Sequence, residues 1–218
     1  MQIKSFALKS LAVAALFAAA GAANAGITVY TSQAAFLSAV GTTGTDNYTG
    51  FSITSITASP INRSAGSFLY TATSAPAGGF FGAGTVANPW LSPNDAEDVI
   101  TFNTFSAGVV AAGGNFFGSN LAGAFAAGDV TLTATDGSGT TTQTITGATV
   151  SSFLGFVSDG PLLSMTLAAV QPATAFLWPT VDNLVLASAV AAVPETQTYA
   201  MMLAGLGVLG FMARRRRG

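Results

Sequence analysis

The chain is 218 residues long, 50% hydrophobic and only 7% charged, with a formal net charge of −2. That is too apolar for an ordinary cytosolic domain and too often interrupted by Gly and Thr for a polytopic membrane protein. It contains no His and no Cys, which excludes Ser-His-Asp and Cys-His catalytic sets, His-ligated zinc or copper, and disulfide staples.

Met1 to Ala25 opens with Lys4 and Lys9, runs through an apolar stretch from Leu11 to Ala20, and ends Ala23-Asn24-Ala25. That order of basic, apolar and small-x-small segments is what signal peptidase recognises. Residues 1–25 are therefore predicted to be a signal peptide, cut between Ala25 and Gly26. About ten apolar residues are too few to span a hydrocarbon core that needs about 20.

The exported domain is expected over residues 26–190. After a short β-prone opening from Ile27 to Thr31, the segment Ser32 to Val40 has an N-cap Ser, apolar Ala35, Phe36 and Val40, and then Gly41 as a stop, which predicts one short N-terminal helix. Beyond it, short runs of Val, Ile, Thr and Phe are punctuated by Gly, Pro, Asn and Asp, the chemistry of strands and turns. The clearest hairpin is GDVTLTATDGSGTTTQTITG. Val130, Leu132 and Ala134 alternate with Thr131, Thr133 and Thr135, and Asp136-Gly137-Ser138-Gly139 supplies the turn. Further strands are predicted near Gly66–Thr73, Asp98–Asn103, Val109–Phe117, Phe153–Ser158, Leu162–Ala169, Thr174–Trp178 and Thr180–Ala187. Each pair Phe80-Phe81 and Phe116-Phe117 is expected to send one ring to each face of its strand. Strands of this length and spacing argue an all-β, antiparallel sandwich.

From Gly26 to Val193 eight carboxylates stand against one base, Arg63, and there is no Lys. Such a surface repels nucleic acid and anionic polymers, so no nucleic-acid partner is expected. The only dense polar cluster is Asn94, Asp95, Glu97 and Asp98 in SPNDAEDV. It has three readings: a solvated acidic loop, a calcium site built from hard oxygen donors, or, if extended, a carboxylate pair Asp95 and Glu97 at a glycosidase-like spacing. Hard oxygen donors are what calcium requires, with backbone carbonyls to complete its six to eight positions; no other cofactor is expected. Asp182-Asn183 suggests a strand-end turn or bulge. A pyranose face stacks on exposed aromatic rings, and Trp90, in a loop flanked by Pro89 and Pro93, is the candidate glycan contact, with Trp178 beside it.

The C-terminal end reads VPETQTYAMMLAGLGVLGFMARRRRG. It combines Val193, Pro194 and Glu195, an apolar stretch from Tyr199 to Ala213, and Arg214, Arg215, Arg216 and Arg217. Fifteen helical residues rise about 22 Å against a core of about 30 Å, a short span, and the Arg cluster places its end on the cytoplasmic side. These parts, in this order at the extreme C-terminus, resemble the PEP-CTERM family, although Thr196 stands where the family has a second Pro. The resemblance implies a sorting tail over residues 193–218, with a short transmembrane helix at 199–213, recognised and cut by an exosortase near Pro194-Glu195. It also implies export across the inner membrane of a Gram-negative bacterium, a transient inner-membrane intermediate, and delivery to the cell surface or medium, in the setting of exopolysaccharide and biofilm. ITFNTFSAGVVAAGGNFFG and FLGFVSDGPLLSMTL with VDNLVLA resemble the jelly-roll ectodomains that such tails follow.

Together these features predict a jelly-roll-like β-sandwich with one short helix, flanked by a signal peptide and a transmembrane sorting helix. Its expected partners are signal peptidase, exosortase and extracellular polysaccharide. The leading functional expectation is a non-enzymatic structural, adhesive or glycan-binding matrix component. The alternatives are a carboxylate-dependent glycan-active enzyme and an ice- or surface-binding protein, the last resting on the Thr faces of the 128–147 hairpin and on similar tails on ice-binding proteins.

Overall fold

A computed structural model describes residues 26–191. The signal-peptide residues Ala23 and Ala25, and the tail from Val193 with its Arg214 to Arg217 cluster, lie outside the described residues. Two antiparallel sheets pack face to face. The first contains β1 (Ile27–Tyr30), β12 (Phe153–Ser158), β8 (Val109–Ser119), β14 (Trp178–Ser188) and β2 (Thr43–Asp46) in that order, with short β9 (Phe125–Ala126) beside β8. The second runs β11 (Thr140–Ala148), β10 (Gly128–Asp136), β13 (Leu162–Ala169), β7 (Val99–Asn103), β4 (Phe68–Ala75) and β3 (Ile61–Ala65). From β7 onward the chain repeatedly crosses between sheets, in the jelly-roll manner, and only the 128–148 hairpin keeps consecutive long strands together.

Alternation explains the layers. Ile100 and Phe102 on β7, Leu132 and Ala134 on β10, and Met165 and Leu167 on β13 point inward to meet Phe116, Leu154, Phe156, Leu184 and Leu186 from the facing sheet. Fully burying one such side chain stabilises by about 1.5–3 kcal/mol, which makes this shared layer the main support of a domain without disulfides. A second, smaller cluster covers the outer face of the first sheet. There α1 (Gln33–Ser38) lays Phe36 on Phe153, Ala111, Val185 and Ala187. Gly155 permits that contact, because a Cβ there would sit 2.4 Å from the Phe36 ring.

Ser32 occupies the N-cap as expected, yet its side chain makes no capping bond; its carbonyl accepts from Phe36 N at 3.0 Å. Gly41 is needed for a different reason than helix termination: a Cβ would lie 2.3 Å from the Ala189 carbonyl oxygen, where the chain passes the end of β14. One further expectation is corrected. Thr174–Trp178 is not a strand; residues 171–177 form a loop held by the Gln171 side chain, and β14 begins at Trp178. Phe116 and Phe117 are both fully buried, because the small hairpin of β5 (Ala83–Gly84) and β6 (Pro89–Trp90) covers the outer side of β8 and sets Trp90 edge-on to Phe117. Phe80 and Phe81 do divide between core and surface.

The outer face of the second sheet is polar and regular. Thr142, Thr133, Thr166, Thr101 and Thr73 stand in register across five neighbouring strands. Beside them runs Thr140, Thr135, Ser164, Asn103, Thr71 and Asn62 across all six. Neither row contains an ionisable side chain. Hydroxyl pairs Thr131–Thr144 and Thr133–Thr142, each 2.9 Å, tie β10 to β11.

Candidate functional site

The loops at the Trp178 end of the sandwich are stapled by polar side chains. The acidic run divides there. Asp98 is buried and accepts from Ser74 Oγ at 2.6 Å, Ala77 N at 2.7 Å and Gly78 N at 3.1 Å, which anchors the 76–79 loop. Asn94 N donates to Gly79 O at 3.0 Å, and Phe81 N to Ser92 O at 3.1 Å, so this loop lies against the 91–98 segment. Gln171 Nε2 bridges Ala96 O at 2.7 Å and Leu177 O at 2.8 Å, fixing the approach to Trp178. Across from them, Asn120 Oδ1 accepts from Ala122 N at 3.0 Å and Ala124 N at 3.1 Å and closes a tight turn after β8.

Between these loops is a cleft of about 170 Å³. Its walls are Phe81, Pro93, Leu121 and Trp178, and its polar groups come from Ser92, Asn94, Ser119 and Asn120. The floor is a buried hydroxyl chain. Ser119 Oγ and Thr180 Oγ1 are 2.7 Å apart, and Thr180 reaches Ser92 Oγ at 3.4 Å. Trp178 is half-buried, with its indole N–H donating to Asn94 O at 3.3 Å and its ring edge-on to Phe176 at 6.3 Å. Phe176 is 63% exposed and Leu121 84% exposed, so the lip is apolar and open to solvent. A small aromatic-walled cleft over hydroxyl and amide groups suits one ring of a sugar, whose faces are apolar and whose rim is all hydroxyl.

The structure separates the four residues of the proposed calcium set. Asn94 lines the cleft, and its carbonyl serves Trp178. Asp95 and Glu97 are exposed on a turn in which Asp95 Oδ1 accepts Glu97 N at 3.0 Å, and Asp98 is turned inward. Among the described residues no group of three His, Cys, Asp or Glu side chains stands together as a metal cage. The turn also means that Asp95 and Glu97 do not share one face of an extended strand. Trp90 packs on Phe117 at 4.9 Å and closes over Gly84, and it does not line the cleft. Asp182 lies at an irregularity in the β14–β8 register, as the bulge reading expects, with Asn183 at φ 52. Burial raises the Asp182 carboxyl above its ordinary value, opposed by the Asn183 N–H at 2.8 Å and by Asn88.

Sequence reasoning missed Phe81, Asn120 and Leu121 as neighbours of Trp178. A large apolar residue in the turn NLAG was the one local signal, since such turns are ordinarily polar.

The fold is thus a β-sandwich of two antiparallel sheets with a small aromatic and polar cleft at one end. Residues 192–217 match the PEP-CTERM protein-sorting motif. The chain thus carries the signal of an exported, exosortase-processed protein associated with the membrane or cell surface. No curated protein and no solved structure matches the chain.

Proposed function

We propose that the processed domain is a non-enzymatic component of the extracellular polysaccharide matrix that binds neutral glycan in the Trp178 cleft. The observation that carries this reading is the pairing of an apolar wall, Phe81, Leu121 and half-buried Trp178, backed by exposed Phe176 edge-on to Trp178, with the Ser92, Asn94 and Asn120 polar groups in a one-ring cleft. Neutral glycan is specified because eight carboxylates against one base repel an anionic polymer. The sorting motif supports the setting, since it belongs to proteins sent outward. Retardation of residues 26–193 in a gel containing a neutral polysaccharide, lost in Trp178→Ala and without release of reducing sugar, is the expected result. Release of reducing sugar that Glu97→Gln abolishes would replace binding with carboxylate catalysis.

The in-register threonine rows favour a second reading, a surface- or ice-binding face. Their hydroxyls repeat about every 4.8 Å across strands and about 6.8 Å along them, on stiff β-branched side chains without charge. Thermal hysteresis that disappears in Thr133→Lys with Thr166→Lys, and that Trp178→Ala leaves intact, would assign activity to this face instead of the cleft.

A further inference from the structure

The strand register gives the sandwich a polarity with respect to the membrane. β14 starts at Trp178, opposite Ser119 at the end of β8, and finishes at Ser188, opposite Val109 at its beginning. Eleven residues at about 3.3 Å put these two ends about 33 Å apart. Ile27 pairs with Ser158, Val157 with Ala111, and Ala111 with Ala187. The start of β1 and the end of β14 therefore lie at the same end of the first sheet. Three strand spacings of about 4.8 Å separate them, or about 14 Å.

The same end is closed by Gly41 N donating to Ser188 O at 2.9 Å and by Ser158 Oγ donating to Asp136 at 2.6 Å. Gly26 N lies 3.2 Å from Asp159 Oδ2, so cleavage after Ala25 would leave an ammonium group beside a carboxylate there. The cleft, with Phe81, Leu121 and Trp178, occupies the opposite end.

Both membrane-directed segments thus leave from one end. From Ser188 to the apolar stretch at Tyr199 is eleven residues, and a chain of that length reaches at most about 36–40 Å. Pro194 is six residues from Ser188, so the exosortase site lies within about 22 Å of that end. Laying the cleft end on the bilayer would use almost all of that reach merely to run the roughly 33 Å height of the domain. We infer that, while the sorting tail holds the protein in the inner membrane, the Gly26 and Ser188 end faces the bilayer. The Trp178 cleft then points away from it, open to extracytoplasmic polymer before the tail is cut. This rests on the sorting-tail reading and is independent of what the cleft binds.

The test uses the full chain in inner-membrane vesicles from a host without an exosortase. The protein has no Cys, so a single introduced thiol reports one site. Gly160→Cys labels the membrane-facing end, where added side-chain atoms meet nothing within 4 Å. Ala175→Cys labels the exposed loop before Trp178. With a fluorophore on each and an energy acceptor on the lipid headgroups, transfer from position 160 should exceed that from position 175 at least twofold. Equal transfer, or greater transfer from position 175, overturns the orientation. Protein that does not pellet with the vesicles overturns it too, and does so by removing the sorting reading beneath it.

Discussion

Arg63 is the only base between Gly26 and Val193, and its guanidinium joins the two sheets. Nε and Nη2 donate to the Asp46 carboxylate at 2.6 and 2.7 Å, from β3 of the second sheet to β2 of the first. Asp46 is 5% exposed and also accepts from Tyr70 Oη at 2.7 Å and Tyr48 N at 2.9 Å. Arg63 lies over the Tyr48 ring at 5.0 Å. Burial opposes its charge, but the Asp46 hydrogen bonds and charge more than offset that and hold it above its ordinary pKa. Arg63→Met leaves a buried carboxylate without its counter-charge, which costs about 3–5 kcal/mol. For a domain of this size that is a Tm lower by about 6–20 °C, to be measured by thermal and urea unfolding of residues 26–193. Adding Asp46→Asn to Arg63→Met should recover part of the loss, since the double variant removes the stranded charge. A loss below about 1 kcal/mol for the single variant would refute the clamp and place the pair with surface ion pairs.

Asp136 accepts from Ser138 Oγ and Ser158 Oγ, each at 2.6 Å, and from the N–H groups of Ser138 and Gly139, which lower its pKa to about 2 against the cost of burial. Its contribution to stability is therefore fully present above the unfolded value of about 3.9 and fades as pH falls through the folded value. Asp136→Asn should flatten the acid limb of the stability profile; an unchanged limb below pH 4 would count against this. Asp182 has the opposite sign, because a raised folded pKa favours the folded state at low pH and loses that advantage as pH rises through the folded value. Asp182→Asn should raise the Tm at neutral pH, and a lower Tm would show that the charge is needed. Because Asp98 is committed to three internal donors, millimolar calcium should leave the Tm as it is in chelator; a rise that Asp95→Asn removes would establish a site in that loop.

β7, β10 and β13 were legible because each buries one face and period-2 patterning reports that directly, whereas β8 and β12, buried on both faces, were legible as short apolar runs bounded by turn residues. β2 and β3 were not. TGTD and INRSA carry a buried Asp and a half-buried Arg where apolar residues would mark a strand, and only the ion pair between them explains their inward faces. Thr174–Trp178 has strand-like composition, but the Gln171 bonds are tertiary and hold it as a loop. The cleft was half legible. Asn94 and Trp178 stood out locally, whereas Phe81, Asn120 and Leu121 reach them only through the crossings between sheets.

If this chain is an exosortase substrate trimmed at both ends, intact-mass measurement of its product shows it most directly. In a host with an active exosortase, the released protein should begin at Gly26 and end close to Pro194-Glu195, and Pro194→Ala with Glu195→Ala should leave the tail-bearing form in the inner membrane. Wild-type protein retained with Arg214 to Arg217 in that host, or a double variant released like wild type, would contradict the account and make the tail a permanent anchor.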